Sequence, residues 1–207
     1  SAQQQVLPPM PRWSSRDKRT ALTLRHDGVV VETTDYRSYE RLYRLVQLGL
    51  EARAAVGEPD GIARVGLRYI DEIRVPGLSG EDGIAWSDWV DSCLLGPMDV
   101  GQELGFVAAG IQGVSVFSGP DDRRLVLRYG PRDGYAVVSN PELRRPMPAP
   151  GPFFLLDIDS FWEPTGEVPD LTSQDVLDTV DQLHAPVREV FENLITEKLR
   201  EEVLRNG

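Results

Sequence analysis

The segment Leu125-Val126-Leu127-Arg128-Tyr129-Gly130-Pro131-Arg132-Asp133-Gly134-Tyr135-Ala136-Val137-Val138 sets two short apolar runs on either side of a Gly-Pro-Arg-Asp-Gly cluster. Glycine and proline punctuate strands, so the spacing predicts strands at 125–129 and 135–138 joined by a turn. Upstream, across Gly119-Pro120-Asp121-Asp122, the run Val114 to Phe117 predicts a further strand, and downstream Phe153 to Ile158 predicts another. Four short strands separated by turn clusters make an antiparallel meander.

The first half carries the helices' counterpart strands. Thr20 to Thr34 alternates around Asp27-Gly28, a two-residue turn signal that predicts a hairpin with Leu22, Leu24, Val29 and Val31 on one face and Thr23, Arg25 and Glu32 on the other. From Ser38 to about Val56 the positions Tyr39, Leu42, Tyr43, Val46 and Leu50 recur at helical spacing, ended by Gly57 and Pro59. Arg64 to Val75 predicts a strand whose facing changes near Asp71 through a bulge or bend. Trp86 to Leu95 predicts a short helix. At the C-terminal end, Thr172 with Asp175 resembles a capping box that opens a helix, and Pro186 stands where a second helix begins, its stripe running through Val187, Phe191, Leu194 and Val203. The fold class is therefore α+β: antiparallel sheet with helices packed on one face and a C-terminal helical segment. Leu67-Arg68-Tyr69 recurs as Leu127-Arg128-Tyr129, which is compatible with an internal pseudo-repeat of halves 14–100 and 101–207. Residues 1–13, opening Ser1-Ala2 and rich in Gln and Pro, read as a trimmed end and linker before a single domain over 14–207, and the native chain is expected to be longer.

Composition narrows the function classes. Cys93 is the single cysteine, so no disulfide closes within the chain, and a reducing, cytoplasmic setting is expected. No apolar run approaches the roughly 20 residues of a membrane-spanning helix. The net charge of −11 opposes bulk attraction to nucleic acid. That charge is uneven: residues 1–80 hold 12 basic against 10 acidic side chains, residues 81–207 hold 10 against 23. Between Gly151 and Leu183 lie Asp157, Asp159, Glu163, Glu167, Asp170, Asp175, Asp178 and Asp181 with no Lys or Arg among them.

No phosphate-binding glycine loop, nucleophile elbow or zincin motif occurs, and no cofactor is implied. With only His26 and His184, a histidine-rich metal site is out of reach. Cys93, among Trp89, Leu94 and Leu95, reads as a small hydrophobe rather than a nucleophile. Asp157 and Asp159 share one face of a predicted strand, and Glu163 follows within reach of a turn. Oxygen ligands of that kind suit Mg²⁺, so the three form a candidate metal site for phosphoester or nucleotide chemistry. Helix capping and ion pairing with arginines of the first half outweigh it. Arg64 and Arg68 likewise share one strand face, and the same parity predicts that Arg64 or Arg68 pairs with Asp157 or Asp159.

The strand Arg64-Val65-Gly66-Leu67-Arg68-Tyr69-Ile70-Asp71-Glu72-Ile73, with Ser14-Ser15-Arg16-Asp17-Lys18-Arg19, Thr33-Thr34-Asp35-Tyr36, Leu156-Asp157-Ile158-Asp159-Ser160-Phe161-Trp162-Glu163, Leu183-His184 and Phe191-Glu192, resembles a sporadically distributed bacterial protein family marked by R-x-G-L-R-Y-I-[ND]-x-I. Asn is the usual residue of that family at the position of Asp71. The resemblance covers most of the chain and carries no assigned activity or catalytic residues. It implies an intracellular bacterial accessory protein from a mobile or defence-type gene cluster, whose members bear a further N-terminal segment with a leading strand. The function expected is a non-enzymatic protein-interaction module that binds a protein partner or itself. A divalent-metal-dependent phosphoesterase or nuclease is the alternative.

Overall fold

The computed structural model describes residues 11–57, 60–76, 84–96, 101, 104–106 and 110–205. It contains two antiparallel sheets, one of three strands and one of four, with helices, and the fold class is α+β. No helix among the described residues is long and apolar enough to cross a membrane. The chain separates into two compact units. The first comprises the described residues of Ser1–Ile62, Val138–Pro148 and Asp170–Leu177, the second those of Ala63–Val137, Ala149–Pro169 and Asp178–Gly207. These interleaved units do not coincide with halves at 14–100 and 101–207.

In the first unit, strands β1 (Arg12–Ser14), β2 (Thr20–Arg25) and β3 (Gly28–Thr33) pair in sequence order. β1 thus lies where a linker was expected. Arg12 anchors it, donating from Nη1 to Thr23 Oγ1 and Glu32 Oε2, both at 2.9 Å. The hairpin turns at His26-Asp27, with Arg25 opposite Gly28, one residue earlier than the Asp-Gly signal suggests. The shift slides the register by two. Because side chains alternate with period two, Leu22, Leu24, Val29 and Val31 still share a face. Helix α1 (Tyr39–Ala54) starts at Ser38, whose side chain accepts from the Arg41 N–H, and meets that face at Gly49. A Cβ on Gly49 would stand 2.7 Å from Val29 Cγ1, so the helix approaches as closely as it does only because no side chain is there.

The second unit is built on β4 (Val65–Ile73), β5 (Gly113–Ser118), β6 (Arg123–Gly134) and β7 (Gly151–Trp162), in spatial order β4-β7-β6-β5. β6 corrects the sequence reading most. It runs straight through Gly130-Pro131-Arg132-Asp133-Gly134, paired with β7 from Arg123↔Trp162 to Gly134↔Gly151, and 135–138 is not a strand. The β5 ladder ends at Tyr129, so beyond it β7 is the one strand paired with β6 among the described residues, and a proline's missing N–H forfeits no second ladder there. Gly130 holds φ +139 and lies against Ile111 and Gln112, where a Cβ would meet the Ile111 carbonyl oxygen. Turn-forming residues here serve a bent strand.

β4 shows no bulge. Its pairing with β7 is unbroken from Val65↔Trp162 to Ile73↔Phe154. Strict alternation sends Val65, Leu67, Tyr69, Asp71 and Ile73 to one face and Gly66, Arg68, Ile70 and Glu72 to the other. The predicted switch of facing is replaced by a carboxylate on the core side and an isoleucine that is 39% exposed.

The core side of this sheet buries Leu125, Leu127, Phe154, Leu156 and Ile158 against Val187, Leu194, Ile195 and Leu199. Those partners all come from α2 (Ser173–Leu194) and the chain after it. α2 continues through Pro186 without the predicted break, because Val180, Leu183, Val187 and Leu194 are buried on either side of the one lost backbone hydrogen bond. The capping box is made: Thr172 N–H donates to Asp175 Oδ2 and Asp175 N–H to Thr172 Oγ1. Two short helical turns, Trp86–Asp88 and Ser92–Leu94, stand in place of one helix and are held by a bridge between Val90 and Ile195.

Candidate functional site

Opposite the core, the four-stranded sheet presents a face of alternating charge, built by strand register alone. Across the strands, Ile70 lies beside Asp157, Arg128 and Val114, the next row runs Arg68, Asp159, Val126 and Val116, and the next runs Gly66, Phe161, Arg124 and Ser118. Each row follows from the period-two rule once β7 is the shared neighbour.

Asp157 is the hub. Its side chain is 6% exposed, and Arg68 donates to it from Nε and Nη2, each bond 2.7 Å long. The fork matches a guanidinium to both carboxylate oxygens, the strongest geometry for such a pair. From the opposite side Arg128 Nη1 stands 3.7 Å from Asp157 Oδ2, a buried nitrogen with no hydrogen-bond partner. The two arginines of the repeated Leu-Arg-Tyr triplets therefore flank one carboxylate from strands β4 and β6. The neighbouring carboxylate raises the Arg68 pKa above its usual value through their hydrogen bonds. Arg64 Nη2 lies 3.8 Å from Asp159 and its guanidinium covers the Phe161 ring at 4.3 Å. All four residues singled out as an ion-pair set meet on this face.

The candidate metal ligands do not gather. Glu163 is exposed beyond the end of β7, where its N–H donates to the Asp122 carbonyl, and Asp157 is already held by arginines. Among the described residues no group of three or more His, Cys, Asp or Glu side chains is placed to hold a metal ion. His26 lies in the exposed β2–β3 turn, and His184 is inside α2 with its ring 6.3 Å from that of Tyr69. Cys93 is exposed, and partial desolvation by its surroundings, followed by the Asp91 side chain, pushes its thiol up to about 11, opposite to what a nucleophile requires.

At the β4 end of this face, Glu72 and Arg74 brace the connection after β6. The Glu72 side chain is 3% exposed and accepts from Arg74 and from the backbone N–H groups of Ala136 and Val137. Arg74 donates on to the carbonyls of Gly134 and Gly151 and stacks over Phe153 and Tyr135. The brace frames a cavity of about 280 Å³ lined by Arg68, Ile70, Arg132, Tyr135, Phe153 and Asp157 among others. Arg124 and Arg132 make no ion pair with a described residue.

The feature missed from sequence is the far edge. β5, Gly113-Val114-Ser115-Val116-Phe117-Ser118, has β6 on one side and, among the described residues, no strand on the other. Val114, Val116 and Phe117 are 66%, 64% and 53% exposed. Its lack of any charge or proline was visible in the sequence, but its edge position was not. No protein-family model, no curated protein and no solved structure matches this chain.

Proposed function

We propose that this chain is a protein-interaction module that works by adding an extended strand to the β5 edge of its four-stranded sheet. One observation carries the reading: β5 is an edge strand with three large exposed apolar side chains and, among the described residues, none of the devices that ordinarily blunt such an edge, namely lysine, proline, a bulge or a covering element. Strand addition draws its affinity from main-chain hydrogen bonds and its selectivity from alternate side chains. The arginine-rich face beside β5, in a chain of net charge −11, favours strands bearing carboxylates or no charge. The test is a fluorescent peptide copying residues 112–119, followed by anisotropy as the chain is added. Saturable binding that Val116→Lys abolishes supports the reading. A chain that, at concentrations up to the millimolar range, neither binds the peptide nor associates with itself removes it.

A further inference from the structure

Resting on that reading, we infer that the strand β5 receives is β5 of a second copy of this chain, paired antiparallel about a two-fold axis normal to the sheet, so that two four-stranded sheets become one of eight.

Charge permits this partner at β5. Two copies of a chain at −11 repel over most approaches, because like charge opposes close contact. β5 carries no charge, so laying it against itself opposes no carboxylate to a carboxylate. Among the described residues, the nearest like charges across such a junction are Arg124 and Arg128 on β6 and their counterparts. Three strand spacings separate them, roughly 14 Å, beyond the screening length of about 8 Å at physiological salt.

Parity fixes the register to a short set. Residues directly opposite in an antiparallel pair share a face, and a two-fold axis normal to the sheet keeps each copy's core side on the same side. Only registers that set a residue opposite itself, or opposite one two or four places away, obey both conditions. With Ser115 facing Ser115 of the second copy, Val114 meets Val116 and Gly113 meets Phe117. That register places the half-exposed Phe117 ring beside the one β5 position without a side chain. Tyr129 already leans over Gly113, so closely that a Cβ there would lie 2.1 Å from its ring. Phe117 of the second copy would then close an aromatic contact with Tyr129. Setting Val116 opposite itself instead puts Phe117 against Ser115 and leaves Gly113 outside the overlap.

Sedimentation equilibrium of the full chain at about 100 µM is expected to give twice the 23.1 kDa chain mass, and Val116→Lys to return it to the single mass with an unchanged far-UV circular dichroism spectrum. For the register, in a Cys93→Ser background, Ser115→Cys should cross-link into a covalent dimer on mild oxidation at least tenfold faster than Val116→Cys, since opposed residues have the Cα separation a disulfide needs. A single-mass wild-type chain overturns the inference, as does a Val116→Lys variant that remains a dimer, or cross-linking through residue 116 as fast as through 115. A single-mass chain that still binds the strand peptide would sink the second copy as partner while leaving strand addition standing.

Discussion

Arg68 grips Asp157 on the diagonal of the β4–β7 ladder: its strand partner is Asp159, yet both of its 2.7 Å hydrogen bonds go to the carboxylate opposite Ile70. The side chain leans along β4 to find the more buried acid. Burial of the acceptor makes this more than a surface ion pair, although the arginine itself is half exposed.

Removing Arg68 should therefore cost more than the zero to about 1 kcal/mol typical of exposed pairs, since Asp157 keeps only the longer contact with Arg128. In a double-mutant cycle of Arg68→Ala and Asp157→Ala, read by urea unfolding, a coupling on the order of 2 kcal/mol is expected. A coupling indistinguishable from zero would mean that the sheet face does not depend on the pair.

Asp71 points to the core side of β4 beside Leu156, and burial, with repulsion from Asp157 second, pushes its carboxyl up to about 6. A raised folded-state pKa means the folded chain holds the proton more tightly than the unfolded one. The favourable contribution is complete below the ordinary value of 3.8 and is lost as pH rises through 6. Asp71→Asn should stabilise the chain at pH 7.5 by on the order of 1–2 kcal/mol and by little at pH 4. Thermal melts of both proteins from pH 4 to 8 check it: parallel curves would contradict the assignment.

Arg74→Ala should strip the buried Glu72 carboxylate of its counter-charge and free the carbonyls of Gly134 and Gly151. A loss of roughly 3 kcal/mol is expected from leaving one member of a buried pair behind. Amide exchange localises it, with Ala136 and Val137, whose N–H groups Glu72 accepts, losing protection first. Equal protection in both proteins would show that the brace holds without its arginine.

At Gly49, alanine gains roughly 1 kcal/mol of helix propensity but presses its methyl into Val29 and Leu22. The clash is expected to win, so Gly49→Ala lowers the melting temperature. Pairing it with Val29→Ala should restore most of the loss, and a Gly49→Ala protein that melts higher than wild type would refute the close approach.

What was legible in the sequence was what depends on parity and on local caps. Leu22 and Val29 keep their shared face although the turn slides, because a shift of two residues leaves a period of two intact. Asp157 and Arg68 meet for the same reason. Thr172 caps its helix with Asp175 as its side chain dictates. The failures lie where long-range pairing overrides local chemistry. Gly130 and Pro131 announce a turn, but the β7 ladder carries β6 past them. Pro186 announces a helix break, but buried Leu183 and Val187 hold α2 together across it. Ile70 and Asp71 suggest a change of facing, yet continuous pairing with β7 imposes one alternation throughout. The exposure of Val114 and Val116 was illegible for another reason, since being an edge is a property of strand order and no residue encodes it.

Strand order also bears on how the chain folds. β7 is the shared neighbour of β6, which it reaches through the connection of residues 135–150, and of β4, whose Arg68 lies 89 residues from Asp157 of β7. Closing the longer loop forfeits more chain entropy before any contact repays it, and such distant pairings slow folding. The β6–β7 hairpin is thus expected to zip early and β4, earliest of the four in sequence, to dock late. Truncating Leu127 should slow refolding, whereas truncating Leu67 should chiefly hasten unfolding. The Arg68–Asp157 fork then acts as a latch, closing a sheet whose other strands are already in register.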